Sequence, residues 1–236
     1  MDAQCLGIAD KKKAARCWMI NHFGARCGHV WRDNSVYLTG DAAHCDRCDD
    51  SCSMSQCRPD VSSGGLPCQS VSRMRDKTKT GNRGPMAQHD SIATVMVQYP
   101  AYLDRRNLRS WWIEESSGFG SERSAVTGRT ALQIFCESCA KAGDEGYAVR
   151  ALFVDHIHWV KVPRLRIIVL GFSPEAGGAA AADWAVREIE ECVRFRKSHG
   201  PCTSVEAIVS SDDPVELKRR PHIEETHEIA LTSPPP

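Results

Sequence analysis

Two apolar, β-branched runs, AVRALFV at 148–154 and RIIVLG at 166–171, constrain this chain most, because they are set among segments with helical periodicity. A run of strand length with apolar residues at consecutive positions hides both faces from water, so it belongs inside a covered sheet. The helical segments are also legible. KKKAARCWMINH (11–22) carries Ala14, Trp18 and Ile20 near helical spacing and is closed by Gly24. HDSIATVMVQY (89–99) places Ile92, Val95, Met96 and Tyr99 on one helical face. TALQIFCESCAKA (130–142) stops at Gly143, and an Ala-rich stretch from 179 to 196 carries Trp184, Ile189 and Val193. GHVWRD (28–33) and the buried run Trp111, Trp112 and Ile113 add strands. Strands alternating with helices of this length predict an α/β fold with a mostly parallel sheet covered on both faces.

Thirty basic residues balance thirty acidic ones, so no global field draws the chain to a polyanion and any such binding is local. No apolar run reaches the roughly 20 residues of a membrane-spanning helix, and MDAQCLGIAD lacks the order of a secretory signal. The expectation is an intracellular protein that does not enter membranes. Its twelve cysteines are then reduced thiols, which directs attention to metal binding or catalysis. Cys45, Cys48, Cys52 and Cys57, with His44, fall in a polar segment that predicts a loop or insertion. Thiolates two or three residues apart can share a zinc ion, but this spacing fits no standard finger and no metal ligand is assigned. Cys136 and Cys139 share a helical face, where core packing is the expectation.

In open α/β sheets, sites form at the carboxyl ends of strands. Three places stand out: Cys68 after PDVSSGGLP, Glu114 after WWI, and the arginines of VPRLRIIVLG. Alone, each has a structural reading: a buried thiol, a solvated acid, edge charges. Together they resemble the cytosine carbon-5 methyltransferase family. Pro67, Cys68 and Gln69, with Ser72, match its Pro-Cys-Gln nucleophile motif, and Arg83-Gly84 its short Arg-Gly motif. Glu114-Glu115-Ser116 stands at its Glu-Asn-Val motif and Val162-Pro163-Arg164-Leu165-Arg166 at its Gln-x-Arg-x-Arg motif. Glu115 and Val162 thus replace an Asn and a Gln. The similarity runs from Asp10 to Gly171.

The resemblance implies a Rossmann-like methyltransferase fold that uses S-adenosyl-L-methionine, incomplete at its N-terminus and without a full target recognition domain. It implies segments 1–38 (partial cofactor half), 39–60 (Cys-rich insertion), 61–172 (catalytic core), 173–209 (helical segment) and 210–236 (unpacked tail). Cys68 would add to carbon 6 of cytosine and make carbon 5 nucleophilic. Glu114 would face the pairing edge, and Arg164 and Arg166 would bind the base carbonyl and favour the thiolate. Asp10, Asp33, Pro67 and Met86 would contact the cofactor. A stacked base must be flipped out, so the partner implied is DNA, held by Gln69, Ser72 and the basic run Arg73, Arg75, Lys77, Lys79 and Arg83. The location implied is nuclear in a eukaryote and otherwise cytoplasmic. Two alternatives stand beside this: a degenerate copy that binds nucleic acid or a partner without activity, and an enzyme acting on cytosine in transfer RNA.

Overall fold

The computed structural model describes residues 5–34, 38–53, 59–67, 93–121, 123, 127–160 and 163–199, which form an α/β protein with two four-stranded sheets. The first sheet runs in the order β1 (Cys5–Ala9), β2 (Cys27–Trp31), β3 (Ala43–Cys45), β4 (Asp50–Cys52). β1 and β2 are parallel and are joined by α1 (Lys13–Phe23), a crossover that parallel neighbours require. Gly24 ends α1 at φ 50, a conformation that costs glycine nothing. The expected apolar stripe of α1 is not its buried side: Trp18 is exposed and stacked on His22, while Arg16 is buried. Arg16 turns inward because its guanidinium meets Asp46 and the carbonyls of Asp10 and Lys11, all at 2.7–2.8 Å.

The second sheet has the order β5 (Val61–Gly65), β6 (Ser110–Ser116), β8 (Leu165–Phe172), β7 (Ala148–Asp155). β5 and β6 are parallel, but β8 is antiparallel to both of its neighbours. Both sheets are therefore mixed, where a mostly parallel sheet was expected. The cause is connection length: only residues 156–164, with the single turn α5 (Ile157–Val160), join β7 to β8, too few for a crossover.

One face of this sheet packs Trp111, Ile113, Val149, Ile167 and Val169 against α2 (Tyr99–Arg106) and α4 (Ala131–Ala140). α2 continues a π-helical turn at Thr94–Gln98 and extends to Arg106, beyond the expected end near Tyr99, because Pro100 suits a first turn and Asn107 supplies the left-handed cap. α3 (Gly118–Ser121) follows β6 and contributes Phe119 to the core. α4 opens with a capping box between Thr130 and Gln133, and its buried stripe includes Cys136 and Cys139, the packing role expected of them. On the opposite face Leu152, Val154 and Leu170 meet Ala182, Val186 and Ile189 of α6 (Gly178–His199). Trp112 alternates to this face and is 45 % exposed, so it is not the buried residue the sequence suggested.

The Cys-rich segment, expected as a loop or insertion, carries the β3–β4 hairpin. Residues 68–92 and 200–236 lie outside the described residues, and with them Cys68, Gln69, Ser72, the basic run, Met86 and the expected tail. Among the described residues no helix is long and apolar enough to cross a membrane.

Gly171 shows how closely β6 and β8 pack, since a Cβ there would stand 2.4 Å from the Trp111 ring. Gly171→Ala is expected to cost about 1–3 kcal/mol in urea unfolding. Gly64→Ala, where a Cβ would meet nothing within 4 Å, should leave the midpoint nearly unchanged.

Candidate functional site

Antiparallel pairing sets Glu114 opposite Ile168 and Ser116 opposite Arg166, so Glu114 and Arg166 are diagonal neighbours on one face. Arg166 Nε lies 2.6 Å from Glu114 Oε1, and Arg164 Nη2 lies 3.6 Å from the same oxygen. The Arg166 N–H points off that oxygen, so charge rather than an aligned hydrogen bond holds the pair. All three side chains keep partial exposure, while Glu114 Oε1, the oxygen that both arginines face, is itself buried. The acid and the arginines thus converge as the sequence suggested, though not at three carboxyl ends: Glu114 is inside β6, and the arginines precede and open β8. The reversed direction of β8 carries its start to the end of β6.

The turn before β8 is built to present these arginines. Asp155 Oδ1 accepts the backbone N–H groups of Ile157 and Arg164 at 3.0 and 2.9 Å, and Arg164 O accepts from His156 N–H at 3.2 Å. β5 pairs on the other side of β6, with Gly65 opposite Glu114, so the described chain reaches Pro67 two residues past the carboxylate. Beside the cluster, between α6 and the sheet, lies a cleft of about 610 Å³ lined by Trp112, His156, Trp159, Ile168, Phe172 and Ile189 among others. Its walls are almost wholly apolar, with His156 the titratable exception besides Cys192. Burial lowers the His156 pKa, and the Arg164 charge adds to this, so the ring is neutral at neutral pH. Sequence reasoning passed over His156; its place between an aspartate-capped turn and a basic strand start was the available signal.

Glu115 takes the other face of β6 and is 1 % exposed. Its Oε2 accepts the Ser116 N–H at 3.2 Å, and its Oε1 is buried without a hydrogen-bond partner among the described residues. Burial first, and the neighbouring Glu114 charge after it, push its pKa up to about 8. The side chain is therefore a neutral carboxylic acid at pH 7.

Asp10 and Asp33 follow β1 and β2, whose parallel register pairs Ala9 with Trp31, so they sit at adjacent strand ends. Asp10 Oδ1 accepts the Lys12 N–H at 2.7 Å, and Asp33 lies 3.4 Å from Lys11 Nζ. Neither lines the cleft. The cysteine segment gathers differently from the expected set. His44 projects away from Cys45, as adjacent strand residues do, and faces Asp46 and Asp49 at 3.6 and 3.7 Å. His29, which sequence reasoning did not single out, joins Cys45, Cys48 and Cys52, while Cys57 lies outside the described residues.

The Glu115 proton gives a pH signature. Its folded pKa stands above the unfolded carboxylate value, so the folded chain holds a proton that the unfolded chain releases. The associated stability is complete below about pH 4.5 and is lost as pH rises to about 8, on the order of 5 kcal/mol over that window. Urea midpoints at pH 5, 7 and 9 should fall steeply for the native chain, and Glu115→Gln should flatten that fall. The chain matches no protein-family model, and no curated protein matches it.

Proposed function

We propose that the chain is a catalytic core of the cytosine carbon-5 methyltransferase type, acting on cytosine in DNA. The observation that carries the reading is the convergence of Glu114, Arg166 and Arg164 in one partly exposed cluster, next to the strand whose extension leads to Cys68. An apolar cleft adjoins these charged groups. That is the polarity expected where a flat heteroaromatic base is received edge-first onto charge.

In this reading the Cys68 thiolate adds to cytosine carbon 6, forming a carbon–sulfur bond and making carbon 5 electron-rich. Glu114 faces ring nitrogen 3 and shares a proton with it as charge builds on the ring. Arg166, with Arg164 beside it, holds the base carbonyl and offsets the charge of Glu114 and of the thiolate. After carbon 5 is methylated, loss of its proton and expulsion of the Cys68 thiolate restore the aromatic ring. S-adenosyl-L-methionine would supply the methyl group. Asp10 and Asp33 suit the hydroxyl and amino groups of that cofactor, being acceptor carboxylates on adjacent parallel strand ends, with Pro67 and Met86 completing the proposed contacts. Neutral Glu115 supports the reading, because an ionised acid in that place would oppose Glu114 from inside the sheet. The basic run from Arg73 to Arg83, with Gln69 and Ser72, is the proposed grip on phosphate and on the gap left by the flipped base.

A duplex carrying 5-fluorocytosine should form a covalent adduct that survives denaturing electrophoresis, because fluorine at carbon 5 blocks release of the sulfur. Cys68→Ser should abolish the adduct. Glu114→Gln and Arg166→Ala should slow its formation by about 10²–10³-fold. A native chain that binds the duplex and forms no adduct with S-adenosyl-L-methionine present would leave the degenerate copy as the better reading; adduct with a cytosine-bearing transfer RNA in place of DNA would move the substrate to RNA.

A further inference from the structure

The first sheet poses a stability problem of its own. β3 and β4 are three residues long, and β3 joins β2 through a single register pair, Trp31 with Cys45. The apolar cluster beneath them has only Trp31 and Cys45 as fully buried members. A hairpin of that size is marginal without a further cross-link. At the same spot the ligand atoms of His29, Cys45, Cys48 and Cys52 all lie within 4.8 Å of one another, and His29 Nδ1 is 3.5 Å from Cys48 Sγ.

We propose that His29, Cys45, Cys48 and Cys52 form a structural zinc site that fastens the β3–β4 hairpin to β2. An ion bonded at about 2.3 Å to sulfur and about 2.0 Å to nitrogen spaces tetrahedral ligands about 3.5–3.8 Å apart. The cluster is already near that size. Three thiols and one imidazole are a donor set suited to zinc, and four protein ligands leave no open position, so the ion would brace the fold and perform no chemistry. The arrangement follows from the strands. Pairing of Trp31 with Cys45 sets Cys45, Trp31 and His29 on one face, and the turn at 46–49 returns Cys48 to that face. Val30 N–H points at Cys45 Sγ at 3.3 Å, and the backbone N–H groups of Arg47 and Cys48 also turn toward that sulfur. Such amide donors are what a metal-bound thiolate accepts.

The surroundings hold the ligands in place. The His29 ring stacks on Trp31 at 5.0 Å, and Trp31 Nε1 donates to Cys52 O at 3.2 Å, fixing the histidine and the last cysteine against one indole. Asp46, inside the Cys45–Cys48 turn, is gripped by Arg16 and Arg32 at 2.7 Å each. None of the four ligands lies on β5 to β8, so the proposal stands independently of the Glu114 cluster.

The full chain, purified under reducing conditions without chelator, should carry about one equivalent of zinc by elemental analysis. Cobalt added to the metal-free chain should give the ligand-field bands of a tetrahedral site and thiolate charge-transfer absorption. Cys48 is exposed, so Cys48→Ser is tolerated by the packing and should weaken zinc binding by at least about 100-fold. Cys17→Ser, an exposed cysteine outside the cluster, should leave zinc content unchanged. Zinc well below one equivalent, together with no tetrahedral cobalt spectrum after reduction, would overturn the proposal. So would a Cys48→Ser chain that keeps its zinc at full affinity, or one equivalent of iron in place of zinc.

Discussion

The antiparallel register between β6 and β8 decides most of this molecule. Setting Trp111 against Gly171 and Glu114 against Ile168 sends Trp111, Ile113 and Glu115 into the core under α2 and α4, and Trp112 and Glu114 to the other face with Arg166. A slip by one residue would bury Glu114 and expose Trp111 and Ile113. The core therefore chooses the register, and the register delivers the arginines to the acid. The site is a by-product of the strongest apolar preference in the chain, which is why its geometry needs no dedicated support beyond the Asp155 turn.

The same strand carries a cost. Placing Glu115 next to Glu114 in a strand buried on one side forces one carboxyl inward, where it survives by keeping its proton. Glu114 instead faces two guanidiniums and keeps partial exposure. Two adjacent acids on one strand are thus placed in different surroundings by nothing more than side-chain alternation.

Much of this was readable in the sequence, and the failures have physical causes. The runs at 148–154 and 166–171 became β7 and β8 because consecutive apolar residues fit only a strand covered on both faces. The meeting of Glu114 with Arg164 and Arg166 was expected from their places near strand ends, and the β6–β8 pairing supplies it. Strand direction was not legible, since periodicity carries no information about polarity and only the short link between β7 and β8 encoded it. Trp112 was misread because WWI offers no polar residue to reveal which tryptophan faces outward. His29 was missed because a ligand set drawn from two strands is not adjacent in sequence, whereas His44, its tempting substitute, is excluded by alternation with Cys45.

The two sheets also solve stability by different means. The second has an apolar cluster on each face. The first has a cluster of two buried residues and is held by directed polar contacts: Arg16 spans the start of α1 and the Cys45–Cys48 turn, satisfying Asp46 and two backbone carbonyls at once. A buried guanidinium is expensive to desolvate, and it is tolerable here because its partners are fixed and complementary. Its ion pair lowers the Asp46 carboxyl pKa from its ordinary value, with Arg32 adding to the effect. Such contacts depend on geometry in a way that apolar layers do not, so the turn bearing Cys45 and Cys48 is held in one conformation, as a set of closely spaced thiols needs if they are to act as a unit.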